Sequence, residues 1–95
     1  MKIDYLFRED KLINELKEYI DSTYSTHYGG AIQPTEVIIE SGLGTGFILG
    51  DIIKYAMRYG KKGTNPSDHR KDLQKIAHYA ILALENHDRI HNATK

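Results

Sequence analysis

Apolar residues recur along most of the chain at the spacing of an α-helix, which predicts four helical segments separated by polar or glycine-containing breaks. The first segment runs from about Glu9 to Thr23, or from Asp4 if the pattern is followed upstream. Its stripe is close to a heptad repeat, which suits packing against a neighbouring helix or subunit, although ordinary core packing is the simpler explanation. The stripe consists of Leu6, Phe7, Leu12, Ile13, Leu16, Tyr19 and Ile20.

The second segment is the shortest and the most ambiguous. Residues 22–33 break the helical pattern with small polar residues and a Gly-Gly pair, so we predict a loop there. Pro34 suits the first turn of a helix that ends near Ser41, with Gly42 as its stop. Residues 37–39, Val-Ile-Ile, also favour a strand, and the pattern leaves helix and strand open at this point.

The third and fourth segments are amphipathic helices. The third is predicted over about residues 47–59, with Gly60 as a left-handed stop. The fourth is predicted over residues 66–86, or as far as His91, with Asn65 as the N-cap before a proline at the first helical position. The predicted core face of the fourth helix consists of Leu73, Ile76, Ala77, Ala80, Ile81, Ala83 and Leu84.

These segments predict an all-α protein, a small bundle of three to four helices that forms one domain over residues 1–95. Residues 87–95 form a polar tail that we expect to fray. A chain of 95 residues can build only a modest core, so we also expect it to assemble as a homo-oligomer.

Composition narrows the functional classes. The chain has no cysteine, which excludes disulfide bonds, and its acidic N-terminal segment lacks the apolar core of a signal peptide, so we expect a cytoplasmic protein. Thirteen basic residues balance thirteen acidic ones, which argues against general nucleic-acid binding and against membrane binding. Any binding site for an anion must therefore be local.

A glycine-rich segment, SGLGTG at residues 41–46, precedes the third helix, and Gly50 follows one turn later. Such a segment can present backbone N–H groups to a phosphate. However, no Gly-Lys-Ser/Thr follows it, and it does not match the GxGxxG pattern after a clear strand. A turn, with Gly50 allowing another helix to approach closely, is the simpler interpretation.

Paired acidic residues at helical spacing suggest a second kind of chemistry. Two acids on one helix that face two on another can hold Mg²⁺, as in helical nucleotide pyrophosphohydrolases, although those acids are usually three residues apart. The histidines at 87 and 91 also share an i, i+4 spacing, but they lie beside the polar tail. We predict no resident metal or cofactor, and magnesium enters only under enzymatic alternatives. The acidic pairs are Glu36 with Glu40 and Asp68 with Asp72.

The strongest candidate for a site is a group of cations and tyrosines around the third helix. Arginine binds phosphate bidentately and lysine binds it as a point charge, while tyrosines offer ring planes and hydroxyl groups to a base or ribose. Together they describe a site of nucleotide size. The cations are Lys54, Arg58, Lys61 and Lys62, and the tyrosines are Tyr28, Tyr55, Tyr59 and Tyr79.

The same residues carry a family resemblance. The patterns HY, P-x-E-V-I-x-E, F-x-x-G-x-x-I-K-Y-x-x-R-Y-x-x-K and D-L-x-K-x-x-x-Y resemble a phage-encoded group, the domain of unknown function 3310, over roughly residues 27–84. The matching positions are His27, Tyr28, Pro34, Glu36, Val37, Ile38, Glu40, Phe47, Gly50, Ile53, Lys54, Tyr55, Arg58, Tyr59, Lys62, Asp72, Leu73, Lys75 and Tyr79.

Members of that group are commonly labelled nucleotide-kinase-like, after a phage nucleoside monophosphate kinase that is larger than this chain. The resemblance therefore implies a phage origin, an oligomer and nucleotide handling. Because the chain has no P-loop for a donor's phosphates, we expect binding rather than catalysis. The expected function is to sequester a nucleotide or cyclic (oligo)nucleotide signal and so counter host antiviral defence. The alternatives are a kinase for deoxynucleoside monophosphates and a magnesium-dependent nucleotide pyrophosphohydrolase.

We expect the ligand to lie near a subunit boundary, between the third helix and the face of the fourth that carries Asp72 and Lys75. Lys54 and Arg58 are expected to hold phosphate, while Asp72 accepts a hydrogen bond from the ligand or orients one of these two cations. Residues 27–28 would close over the ligand.

One tyrosine, either Tyr28 or Tyr55, is expected to stack on the base. The complete predicted site is His27, Tyr28, Lys54, Tyr55, Arg58, Tyr59, Lys62, Asp72, Lys75 and Tyr79.

Overall fold

The computed structural model describes residues 1–26, 33–61 and 65–91, with side chains described through residue 24 in the first range. Every regular element within these ranges is an α-helix, which confirms the all-α class. Residues 37–39 are helical, so the strand alternative is wrong. None of these helices combines the length and apolarity needed to cross a bilayer. The helices are α1 (Glu9–Thr26), α2 (Pro34–Glu40), α3 (Gly44–Arg58) and α4 (Pro66–His91).

The chain divides into two compact units, residues 1–30 and residues 31–95. The first unit contains α1, which extends three residues beyond its predicted end at Thr23. Acidic residues occupy its first turn, where they complement the helix dipole, and the Glu9 carboxylate accepts a hydrogen bond from the Phe7 N–H (2.9 Å). Near the other end, the buried Thr23 hydroxyl donates to the Ile20 carbonyl (2.7 Å).

The second unit is built on an antiparallel hairpin of α3 and α4. At one end, Arg58 in the last turn of α3 bonds Asp72 in α4. At the other end, the Asn86 amide donates to the hydroxyl of Thr45 in the first turn of α3 (2.9 Å). Gly60 turns the chain between the two helices at φ +78°, in the left-handed region that glycine occupies without strain.

Both predicted boundary signals around this connection are confirmed. Gly60 follows the last turn of α3, and Asn65 caps α4, since its side-chain oxygen accepts the N–H of Asp68 at 2.9 Å. The start of α3 differs from the prediction: the helix begins at Gly44, three residues before Phe47. Residues 44–46 of the glycine-rich segment therefore form the first turn of the helix, whereas residues 41–43 form the turn that connects it to α2.

The short helix α2 is held beside the open end of the hairpin, which is the end where α3 begins and α4 finishes. Glu40, its last residue, accepts a hydrogen bond from Arg89 of α4 at 3.0 Å, and Arg89 also bonds Glu85 at 2.8 Å. These carboxylates raise the pKa of Arg89, with the Glu85 hydrogen bond as the main cause. The chain leaves α2 through Gly42, which has φ +89°.

The predicted core face of α4 is largely wrong. Leu73, Ile81 and Leu84 are 47%, 43% and 65% exposed, whereas the buried residues of α4 are Asp72, His78 and Asn86. The reason is that α3 presents Arg58 and Tyr55 toward α4. Their partners form the polar stripe of α4, which consists of Asp72, Lys75 and Tyr79. That stripe therefore faces α3, and the aliphatic stripe turns outward.

Close packing at the open end of the hairpin depends on Gly44. A Cβ atom added there would lie 2.5 Å from the Asn86 side-chain oxygen and 3.2 Å from Ile39 Cγ1. By contrast, a Cβ atom at Gly50 meets nothing within 4 Å. The close helix approach that the sequence suggested for Gly50 is thus made at Gly44.

We predict that Gly44→Ala and Gly50→Ala shift stability in opposite directions. Gly44→Ala should lower the free energy of unfolding by about 1–3 kcal/mol, because Asn86 must leave its bond to Thr45. Gly50→Ala should raise it by about 0.5–1 kcal/mol, since alanine restricts the unfolded chain and favours a helix interior. Urea denaturation of both variants tests this, and equal effects from the two would contradict the packing at Gly44.

A second prediction concerns His78, whose burial lowers its pKa. The His78 imidazole is therefore protonated less readily in the folded state than in the unfolded state, in which histidine has a pKa of about 6.5. The stabilising contribution is therefore present above about pH 6.5 and is lost as the pH falls below that value. Urea unfolding at pH 7.5 and 5.5 should show the loss, and His78→Gln should reduce it. An unchanged pH dependence in His78→Gln would contradict this assignment.

Candidate functional site

The candidate site begins with an ion pair that joins α3 to α4. Two nitrogens of the Arg58 guanidinium, Nε and Nη2, donate to the same Asp72 carboxylate oxygen, at 3.1 and 2.8 Å. The Asp72 side chain is 4% exposed and that of Arg58 is 30% exposed. The hydrogen bond to Asp72 raises the pKa of Arg58. Arg58 thus has one edge fixed by a buried carboxylate, and its remaining N–H groups make no bond to the described residues.

Three cations surround the ring of Tyr55. The Nζ atoms of Lys54 and Lys75 lie 4.6 and 5.1 Å from the ring centroid, and the Arg58 Cζ lies at 4.7 Å. A tyrosine ring attracts cations through the negative potential of its faces, at about 0.5–1 kcal/mol per exposed pair. We call Tyr55, these three cations, Asp72 and Tyr79 the cation–tyrosine cluster.

The cations of this cluster are only partly neutralised. Arg58 is paired with Asp72, and Lys54 lies 3.4 Å from a carboxylate oxygen of Asp51. Within the described ranges, Lys75 has no carboxylate at ion-pair distance. Any two of the three cations lie within about 10 Å of each other, which is the screening length at 0.1 M salt, so they repel one another. The arrangement therefore favours the approach of an anion.

The rings of the cluster contact one another. Tyr55 stacks on Tyr79 with 5.9 Å between centroids and 22° between planes, and Phe47 meets Tyr79 edge-on at 6.3 Å. Tyr59 makes a similar edge contact with His69 at 6.2 Å. Tyr55, expected to stack on a base, is thus already stacked on Tyr79 and bordered by cations. A ligand can therefore reach the cations of the cluster more easily than a face of the Tyr55 ring.

The structure brings together six of the ten predicted site residues. Tyr59, a seventh, follows the last residue of α3 and is 48% exposed. His27, Tyr28 and Lys62 lie outside the described residues, so their predicted roles stay predictions. The six residues of the cluster are Lys54, Tyr55, Arg58, Asp72, Lys75 and Tyr79.

The predicted site left out Asp51, which neighbours the cluster. It lies three residues before Lys54 on the same helix, a spacing at which opposite charges meet, and this signal was available in the sequence. His69 was also missed; its contact with Tyr59 depends on how the connection between α3 and α4 folds, which no local pattern indicates.

The two acidic pairs do not meet. Glu40 is bonded to Arg89 at the open end of the hairpin, whereas Asp72 is bonded to Arg58 near its closed end. Across the described ranges, no three or more histidine or acidic side chains converge as a metal site would require. The magnesium arrangement of a helical pyrophosphohydrolase is therefore not formed by these four residues within this unit.

A separate cavity of about 300 Å³ lies between the start of α3 and the end of α4. Its walls are mainly aliphatic, and the rings of His87 and His91 stand 4.3 Å apart at its edge. None of the predicted site residues contributes to it. The lining residues are Thr45, Ile48, Leu49, Ala83, Asn86, His87, Ile90 and His91.

Comparison with known proteins adds one family match. The sequence model of a family described as protein of unknown function, DUF3310, matches residues 22–81. No curated protein and no solved structure matches the chain. The matched segment contains α2, α3 and the part of α4 that carries Asp72, Lys75 and Tyr79. The whole cation–tyrosine cluster therefore lies within the family's shared region.

Proposed function

The chain belongs to the DUF3310 family, and from the geometry of the cation–tyrosine cluster we propose that it binds a nucleotide or nucleotide-derived ligand through phosphate. The observation that carries the proposal is the convergence of Lys54, Arg58 and Lys75 on the ring of Tyr55, within 5.1 Å. Cations held this close repel one another, and a bound phosphate relieves that repulsion while accepting their hydrogen bonds.

The rigidity of the cluster supports binding. Asp72 fixes the guanidinium of Arg58, and Tyr79 supports the ring against which the lysines lie. Side chains that are already ordered lose little conformational entropy when a ligand arrives. A phosphate can therefore bind to the guanidinium edge turned away from Asp72 and to the two lysine ammonium groups without rearranging the helices.

The fate of the bound ligand follows from what the cluster provides. Binding requires only these cations, whereas phosphoryl transfer also requires a second substrate held in line with the first. We therefore propose that the ligand is held and released intact. In a phage-encoded protein of the host cytoplasm, this activity would withhold a nucleotide or cyclic (oligo)nucleotide signal from host antiviral defence.

Removing single cations should weaken binding without unfolding the protein. Lys54→Ala and Lys75→Ala should each raise the Kd for a nucleotide about tenfold, because each removes a charge-assisted contact. Arg89→Gln, which removes a charge at the opposite end of α4, is the matched control and should bind like the parent protein. Calorimetry measures the affinities, and unchanged binding by both lysine variants would place the site elsewhere.

Substitutions at Tyr55 should separate the ring from its hydroxyl group. Tyr55→Phe keeps the negative ring faces and should retain the affinity within about twofold, whereas Tyr55→Leu should weaken it about fivefold or more, because the cations lose their common support. Incubation with a nucleotide panel, followed by mass analysis of the released ligand, then tests turnover. Diphosphate products from ATP and a monophosphate would identify a kinase instead, and hydrolysis that requires Mg²⁺ would identify a pyrophosphohydrolase.

We also propose that the chain assembles with copies of itself. Ile48 is the only apolar residue of the described ranges that reaches full burial, whereas Leu49, Ile53 and Met57 form an outward stripe on α3 and are 48–65% exposed. One buried aliphatic residue is a very small core for a chain of this length. The exposed stripe gives a partner an apolar surface to pack against. A second copy of the chain is the partner we propose, because it is present wherever the chain is made.

Assembly predicts that stability depends on concentration. The unfolding midpoint should rise as protein concentration increases, and light scattering should give a multiple of the 10.9 kDa chain mass. Ile53→Glu should reduce the assembled fraction because it places a charge in the apolar stripe. A constant midpoint together with a monomer mass would contradict this proposal and leave phosphate binding by the cluster untouched.

A further inference from the structure

The charge balance of the cation–tyrosine cluster indicates which class of phosphate it accepts. Two carboxylates lie against its three cations: Asp72 is bonded to Arg58, and Asp51 is 3.4 Å from Lys54. The cluster therefore carries a single positive charge in excess. Among the described residues, that excess corresponds to Lys75, whose ammonium group has no carboxylate at ion-pair distance.

Both carboxylates are held in place. The Asp72 side chain is 4% exposed and accepts two hydrogen bonds from Arg58, so it stays beside any anion bound to that guanidinium. The Asp51 side chain is 17% exposed and lies one turn before Lys54 on the same helix. A ligand thus meets two fixed negative charges together with the three cations, and these charges are only partly screened because they are largely removed from water.

The number of charges on the ligand then matters. A phosphodiester carries one negative charge, whereas a terminal phosphate carries about 1.5 to 2 at pH 7 because its second pKa is near 6. A triphosphate carries more still. A single diester charge balances the excess of the cluster, and every further negative charge is placed near Asp51 and Asp72 without a cation to balance it.

We propose that the cluster selects a phosphodiester group, as found in a cyclic nucleotide or an internucleotide linkage, over terminal phosphates and polyphosphates. This inference rests on the proposed function, because it assumes that the cluster binds phosphate. It adds a basis for selection: the ligand is chosen by its charge, and Asp51 and Asp72 are the specificity-determining residues that disfavour more highly charged ligands.

The test compares ligands that share one base and differ in phosphate charge. Calorimetry at pH 7.5 with 3′,5′-cyclic AMP, 5′-AMP and ATP, in the absence of divalent cations, should give the lowest Kd for the cyclic diester. The Kd should rise about tenfold with each additional charge. At pH 5.5 the Kd of 5′-AMP should approach that of the diester, because protonation removes its second charge.

The cyclic diester is the internal control for titration of the protein. Its charge is the same at both pH values, so any change in its Kd reports titration of the protein, chiefly of His78, whose ring lies beside Tyr79 of the cluster. The change seen for 5′-AMP is read after this background is subtracted.

The variant that sharpens the test is Asp51→Asn, which keeps the size of the side chain and adds one unit of positive charge. It should improve the affinity for 5′-AMP about tenfold relative to the cyclic diester and so remove most of the selectivity. Equal affinities for the three ligands, or tightest binding of ATP, would overturn charge selection while leaving the proposed function intact. Failure of all three ligands to bind would overturn the proposed function itself.

Discussion

The hydrogen-bonded pair of Arg58 and Asp72 determines how the helical hairpin is put together. A carboxylate that is almost fully buried is unfavourable unless a cation compensates it, and Arg58 is the cation that does so here. The pair therefore specifies which face of α4 meets α3 and where the two helices align along their length. At the other end, the bond between Asn86 and Thr45 fixes the same alignment across the close contact at Gly44.

This constraint explains why the apolar residues are distributed as they are. With the polar stripe of α4 committed to Arg58 and Tyr55, the aliphatic residues Leu73 and Leu84 must face away from α3. Between the two polar ends of the interface, Ile48 is fully buried. The hairpin is thus held by specific polar contacts at its two ends and by a small apolar centre. Its larger apolar surfaces face away from the contact between α3 and α4.

The sequence predicted the helices well and their packing less well. The periodicity, Pro34, Asn65 and Gly60 located α2 and the connection between α3 and α4, because capping and left-handed turns are local properties. The core face of α4 was predicted incorrectly because aliphatic residues were assumed to face inward. The pairing of Arg58 with Asp72, fourteen residues apart, reverses that assumption. The sequence offered this pairing as one role of Asp72, but the predicted core face of α4 did not take it into account.

The candidate site was more accessible to sequence reasoning than the core. Lys54 and Arg58 share a face of α3 at a spacing of four, with Tyr55 next to Lys54. Asp72, Lys75 and Tyr79 share a face of α4 at spacings of three and four. What the sequence did not contain was the state of Tyr55, whose ring stacks on Tyr79 and is bordered by cations from both helices. That contact arises only when the hairpin closes.

The same contacts that fold the hairpin also assemble the cluster, so under the proposed function stability and ligand binding depend on the same residues. A phosphate-binding loop presents backbone N–H groups whose charge is fixed by the fold, whereas this cluster presents side chains whose net charge depends on two carboxylates. One of these, Asp72, is required to bring the helices together and cannot be removed without leaving Arg58 unpaired at the interface. Its negative charge is therefore a permanent part of the site. Any anion that binds here must be attractive enough to the three cations to outweigh that charge, and this favours a compact anion of low charge at the exposed edge of Arg58.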